Sequence, residues 1–414
     1  MTIRTPVVFL CPGKFSFGEL QNAITVARQL PAEVASEFLV SEQYLDLARR
    51  SGVSARALPR GSRNQETTLA ILKDLNPAGI VVADHHLFAL ERANFPLETV
   101  LRLNRPVVTL DSLCLGPSES IMKMALSRQP SMKPIHRWFH PETVVPGLPK
   151  EMNLIRPVPV AGLGRADDSF NLYGTLLEAR QAKEAVFDRL GISQERSLVV
   201  VAQSNWATSA YGLLGRISKD ADSDTYRDLR NRWSAEMFSR VGLPITVLEV
   251  SAGGNSATYY NGVEFLPSSY QPMDDFVDIL AAADLYVTDN LTSGAMGKAA
   301  ALGTATLALV NESNDRSTDP FSTEWLAQME SYFPGFDVRF LVNPFGWADE
   351  LAPLLTNNEY LASVPKAEIY DLDACASAIR KHVGIKFGPA SQTLNRQIAG
   401  LPMASTMLLE RLNL

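Results

Sequence analysis

Carboxylates, histidines and glycines standing just behind short apolar runs are the groups with which this chain could do chemistry. After the run Thr5 to Leu10 comes CPGKFSFGELQNA, in which Gly13 and Gly18 bracket a loop and Glu19 falls in the first turn of an expected helix. A carboxylate there could take the proton of an attacking hydroxyl, or it could merely complement the helix dipole. Asp84, His85 and His86 follow a second apolar run, and Asp111 and Ser112 follow a third. A histidine of ordinary pKa is a base near neutral pH, whereas Asp and Ser at such places also cap helices and close turns. Adjacent histidines on an extended turn should point apart, which argues against a metal site. Lys14 and Arg156 could offset negative charge on a leaving group or be plain surface charges.

A fourth constellation lies in the second half. Asp284 to Thr288 reads as a strand, Asp289 to Thr292 as a polar turn, and Ser293 to Leu302 as a small-residue helix closed by Gly303. This arrangement should aim free backbone N–H groups of Thr292, Ser293 and Gly294 out of a helix N-terminus, where the macrodipole favours an anion such as a pyrophosphate. Gly294 and Gly297 would let a phosphate approach the backbone, or let the helix pack tightly on the sheet.

The elements that must position these groups alternate. Strands are expected at Thr5 to Leu10, Glu37 to Val40, Ala57 to Leu58, Gly79 to Ala83 and Pro106 to Leu110, with helices at Glu19 to Leu30, Ser41 to Ser51 and Thr67 to Leu75. Such alternation demands a parallel sheet covered on both faces. Pro117 to Arg165 is rich in proline and reads mostly as surface connection. A helix from Leu176 to Leu190 stopping at Gly191 then opens a second α/β unit, with strands at Ser197 to Ala202, Ile245 to Val250, Val263 to Leu266 and Thr306 to Val310. Helices are expected near Asp224 to Val241, Asp274 to Ala282, Asp373 to Val383 and Met403 to Leu412. No repeat of about 20–50 residues points to a solenoid.

Bulk properties narrow the class. The 414 residues suffice for two domains, and 46% hydrophobic with 20% charged residues is a globular composition. A formal charge of -7 argues against a general nucleic-acid binder. Three widely spaced cysteines, Cys11, Cys114 and Cys375, fit a reducing compartment. With no apolar run of roughly 18–20 residues and no secretory leader, a cytoplasmic protein without a membrane span is expected.

The run Phe276 to Val310, FVDILAAADLYVTDNLTSGAMGKAAALGTATLALV, resembles the donor-nucleotide segment of GT-B glycosyltransferases. The likeness covers the C-terminal half well and the N-terminal half in outline. It implies an α/β fold of two Rossmann-like domains facing across a cleft. Residues 1–175 would form the acceptor domain, 176–395 the nucleotide-donor domain, and 396–414 a C-terminal helix packing back on the first domain. By this resemblance Asn290, Thr292, Ser293 and Gly294 bind the donor's phosphates. Gln203, Ser204, Asn205 and Trp206 would lie against the phosphates or the sugar, and Leu266 to Gln271 would hold the base, with Tyr270 as a stacking partner.

Lys298 stands where the family pattern has a carboxylate for the ribose hydroxyls. An ammonium cannot accept from hydroxyls but can pair with a phosphate, which points away from the usual uridine nucleotide sugar; a solvated helix lysine is the other reading. Asp289 and Asn290 replace the common glycines. Ser16, Gly18 and Glu19 are similar to the S-x-G-E element of Kdo transferases, whose glutamate is the catalytic base.

The resemblance thus implies a metal-independent glycosyltransferase with Glu19 as base, and Asp84, His85 and Asp111, which follow strands, should face the same cleft. A nucleotide sugar serves as donor substrate, a small molecule as acceptor, and no cofactor is permanently bound. A sugar-nucleotide 2-epimerase or hydrolase, or a non-catalytic nucleotide-binding subunit, is the alternative, and a homodimer stays open.

Overall fold

The computed structural model describes residues 4–13, 17–59, 64–90, 95–112, 116, 118–123, 142–158, 168–174, 177–202, 223–251, 257–310, 319–333 and 358–414. Among them, β-branched runs form two parallel-dominated sheets, because a strand buried on both faces needs apolar residues at every position. The first sheet contains β1 (Thr5–Cys11), β2 (Val34–Val40), β3 (Ser54–Ala57), β4 (Gly79–Val82) and β5 (Val107–Leu110). A two-stranded antiparallel ribbon of β6 (Ser120–Lys123) and β7 (Glu142–Val145) follows, and then β8 (Met152–Val158) and β9 (Ser169–Asn171) return to the sheet. Its order is β3-β2-β1-β4-β5-β8-β9, with every pairing parallel.

The second sheet contains β10 (Ser197–Ala202), β11 (Ile245–Val250), β12 (Thr258–Tyr260), β13 (Val263–Ser268), β14 (Leu285–Thr288), β15 (Thr306–Val310) and β16 (Lys366–Glu368). They run in the order β12-β13-β11-β10-β14-β15-β16, and only β12, at the edge, is antiparallel. In both sheets the strand order reverses beside the first strand, between β1 and β4 and between β10 and β14. A crevice opens beyond the carboxyl ends of the strands at such switch points, and open α/β sheets bind ligands there.

The proline-rich stretch departs from the sequence reading. Met152 to Val158 is a sheet strand, with Pro157 inside it. β5 pairs only with Met152 to Ile155, so the missing N–H of Pro157 falls where that neighbour has ended. The helix before Gly191 covers only Lys183–Leu190, and Gly191 takes the left-handed conformation, φ 69°, that a helix stop requires.

The halves meet through helices. One buried apolar cluster runs from Phe9 and Val81 through Leu20 and Ile24 of helix Gly18–Ala27. It continues through Val277 and Met296, on helices Met273–Ala282 and Gly294–Ala301, to Val200 and Tyr286 of the second sheet. The last helix, Ala404–Leu412, lies on the first sheet. Its Ala404 N–H donates to Gln29 Oε1 at 2.9 Å, its Arg411 pairs with Asp168 at 3.1 Å, and Leu412 fills the space beside Gly79. Among the described residues no helix is long and apolar enough to cross a membrane.

Candidate functional site

β1 ends at Cys11, and the chain then passes through Gly13 into helix Gly18–Ala27, which carries Glu19 in its first turn. Glu19 is only 3% exposed, because its carboxylate lies against the Gly13 backbone: a Cβ on Gly13 would sit 1.5 Å from Oε1. Glycine is required there by the close approach, not by backbone conformation. Ser41, just after β2, fixes the loop by donating from Oγ to the Gly13 carbonyl at 2.9 Å. Burial, with the nearby Glu19 charge, pushes the Cys11 thiol well above its ordinary value. Gly13→Ala must therefore displace the carboxylate or the loop, and it is expected to cost about 1–3 kcal/mol in chemical denaturation. A change below about 0.5 kcal/mol would mean that Glu19 moves aside freely.

Behind β4 and β5 lies a buried polar cluster. Asp84 accepts from the Leu87 N–H at 3.0 Å and from the Ser112 N–H at 3.2 Å, so it caps helix His85–Leu90 and ties β4 to β5. Burial pushes its carboxyl up to about 7; the backbone donor of Leu87 opposes this and the charge of Asp111 adds to it. Asp111 accepts from Arg156 Nε at 3.1 Å and from the Gly116 N–H at 3.0 Å, and Arg156 reaches on to Asp168 at 3.0 Å. Arg156 is thus a buried ion-pair partner and not a plain surface charge.

The two histidines differ from expectation. They begin a helix instead of an extended turn, and their rings lie 3.6 Å apart between centroids instead of pointing apart. Burial drives His85 down to about 3, His86 opposing a second charge, and burial drives His86 down to about 4. Both imidazoles are neutral at physiological pH, and a group so weakly basic is a poor proton acceptor in catalysis. His86 Nδ1 stands 3.7 Å from Asp111 Oδ1, too far for a hydrogen bond. Among the described residues no cluster of metal-ligating side chains forms.

Across the interface, β14 leads through Asp289 into the polar turn and helix Gly294–Ala301. Asn290 Oδ1 accepts from the Thr292 N–H at 3.0 Å and from its hydroxyl at 2.8 Å, and the Asn290 carbonyl accepts from the Ser293 N–H at 3.0 Å. The N–H groups of Thr292 and Ser293 are therefore committed to the turn and are not free, which corrects the sequence reading: an Asx turn satisfies the first and a backbone turn the second. Ser293 caps the helix, its Oγ accepting from the Met296 N–H, and shares a 3.1 Å hydrogen bond with Tyr286. Gly294 has Asn22 Oδ1 of the other half in ordinary contact range, 3.8 Å from where its Cβ would be. Asn22 lies one turn beyond Glu19 on the same helix face. The helix that carries the expected base thus meets the helix end expected to hold the phosphate.

Tyr270 is half-buried, with its ring stacked on Phe17 of the first half at 5.4 Å, so one face is already covered. Ser204, Asn205 and Trp206, together with Gln203, Lys14 and Ser16, lie outside the described residues.

Comparison with known proteins places the chain. A sequence family described as "Family of unknown function (DUF6365)" matches residues 26–398. The chain belongs to the DUF6365 family. No curated protein matches it. Among solved structures, Spinosyn Rhamnosyltransferase SpnG superposes with a TM-score of 0.51 at 12% identity, over 98% of this chain and 99% of that one. The SsfS6 glycosyltransferase of Streptomyces sp. SF2575, complexed with thymidine diphosphate, gives 0.51 at 11% identity, again over 98% and 99%. The DUF6365 protein therefore has the two-domain α/β architecture of GT-B glycosyltransferases. At such identities the likeness speaks for fold alone.

The contacts that bind the halves of the DUF6365 protein together were not legible in its sequence. Lys298, 2% exposed, is no solvated lysine: it donates to Gln21 Oε1 across the interface at 3.0 Å. Arg28 pairs with Asp274, and its Nη2 donates to the Ser51 carbonyl at 2.7 Å. Burial, with the charge of Arg28 adding to it, pulls the Lys298 ammonium from 10.5 down to about 7. The unfolded chain then holds more protons than the folded one between those values, so this lysine makes stability rise with pH across that window. Lys298→Met is expected to raise stability at pH 7 and to flatten the pH 7–10 slope relative to the wild type in paired denaturant titrations. An unchanged slope would mean that the amine reaches solvent.

One further signal was readable. Arg230 falls on the apolar stripe of helix Ser223–Ser239, one turn after Tyr226 and one before Trp233, and a charge in that position must find a buried partner. The partner is Asp289, at the head of the polar turn, 2.5 Å from Nη2.

Proposed function

We propose that the protein is a glycosyltransferase that moves a sugar from a nucleoside diphosphate to a hydroxyl of a small acceptor. The observation that carries this reading is the contact just described: Asn22, one turn beyond Glu19 on helix Gly18–Ala27, lies 3.8 Å from the Cβ position of Gly294 at the N-terminus of helix Gly294–Ala301. The diphosphate would sit at Gly294, where the helix dipole favours negative charge. The acceptor oxygen attacks the anomeric carbon, the bond from that carbon to the phosphate oxygen breaks, and the electron pair leaves with the diphosphate. The acceptor proton passes to Glu19, which is preferred over His85 because burial drives that imidazole down to about 3 and leaves it a very weak base. Asp111 and Asp84 act by holding the β4 and β5 ends in register.

SpnG is a rhamnosyltransferase and SsfS6 was solved with thymidine diphosphate, which makes thymidine diphosphate the first probe. The test is calorimetric titration with thymidine, uridine and guanosine diphosphates, followed by nucleotide-release assays with their hexose esters and a panel of hydroxylated acceptors. Binding of one diphosphate and release that depends on acceptor are expected. Release without acceptor would identify a hydrolase or epimerase, and binding of none would remove the reading.

A further inference from the structure

Beside the polar turn lies a cluster to which the transfer chemistry assigns no role. Arg230, 4% exposed, spends one end of its guanidinium on Asp289 and lies 4.8 Å from the centre of the Trp233 ring. Its other terminal nitrogen, Nη1, is buried with no hydrogen-bond partner among the described residues, and so is Oε1 of Glu249. Glu249 is the last residue but one of β11, and Asp289 follows β14 directly. β10 runs between these two strands. The cluster therefore spans the carboxyl ends of three neighbouring strands, on the side where such sheets take ligands.

Buried polar atoms without partners are uncommon and costly, and here a donor and an acceptor are orphaned in one cluster. The chemistry selects what could satisfy both. A phosphate would suit Arg230, but that guanidinium is already paired with Asp289, and the buried Glu249 carboxyl, pushed up to about 7 against the charge of Arg230, offers an anion no donor of positive charge. An apolar group would leave both atoms unpaired. Hydroxyls accept and donate, so one or two of them can take a bond from Nη1 and give one to Oε1.

We propose that Arg230 and Glu249 form a subsite for hydroxyl groups of the hexose carried by the donor nucleotide, with Asp289 as the positioning residue that aims the guanidinium. This rests on the donor-binding reading above and extends it to the sugar. Because Asp289 adjoins Asn290, which shapes the turn, the subsite lies next to the expected diphosphate.

Calorimetry on the full chain separates the two. For whichever diphosphate binds, its glucose, N-acetylglucosamine and mannose esters are compared with the bare diphosphate. At least one hexose is expected to tighten wild-type binding about tenfold. Glu249→Met should erase that gain while leaving the affinity for bare diphosphate within about twofold. Arg230→Lys, which keeps a charge for Asp289 but removes Nη1, should lose the same gain and serves as well if Glu249→Met folds poorly. A diphosphate that binds with no hexose gain, or a gain untouched by either variant, overturns the subsite and leaves the transferase reading standing. If no diphosphate binds, both fall.

Discussion

Replacing Glu19 by glutamine is expected to lower turnover by about two to four orders of magnitude while leaving nucleoside diphosphate affinity unchanged. Glutamine preserves the shape of the side chain, so it can still lie against Gly13, where no Cβ intervenes. It cannot take a proton from the attacking hydroxyl. The diphosphate is expected at Gly294, so binding should be insensitive to the change. Nucleotide release under saturating donor and acceptor, set beside calorimetric titration of the diphosphate, reads both quantities. Normal rates would take Glu19 out of the mechanism, and a parallel loss of affinity would make it a structural support of the turn.

Asp111→Ala is expected to remove about 3–5 kcal/mol of stability, read as a lowered midpoint in guanidinium chloride. Both Asp111 and Arg156 are buried, and removing the carboxylate leaves the guanidinium inside with a single bonded carboxylate, Asp168, which is itself partly exposed. Breaking a buried pair from one side costs far more than the pair contributes, because the remaining charge has lost its compensation. Asp168→Asn should cost much less: Asp168 is about one third exposed, the amide oxygen can still accept from Arg156, Asp111 stays as the buried partner of that guanidinium, and solvent screens the contact with Arg411. The order of the two variants is the decisive reading. A loss below about 1 kcal/mol for Asp111→Ala would mean that Arg156 swings out to water.

Glu19, Asn22 and Gly294 show how a site can be half written in a chain. Each stands where a strand gives way to a helix, and those boundaries follow from apolar runs, glycines and first-turn acids, which are local properties. Ser197–Ala202, Ile245–Val250 and Thr306–Val310 are strands at the expected limits for the same reason. Met152–Val158 escaped because proline is read as a breaker from its local chemistry, while its tolerance at 157 depends on where β5 ends. The meeting of His85 with His86 and the commitment of the Thr292 and Ser293 N–H groups also depended on how a few residues fold back on their neighbours.

What the sequence determined by itself is the alternation of buried strands and covering helices, and with it the positions of Glu19, Asp84, Asp111 and the polar turn at strand ends. Hydrophobic periodicity is sufficient for that, since each element buries its own face. What only the tertiary structure decided is which strand ends share a crevice, that Lys298 bonds Gln21 across 277 residues of chain, and that Arg230 turns to Asp289. Those contacts arise from packing between elements far apart in sequence, and a buried charge selects its partner only once the surrounding core has excluded water.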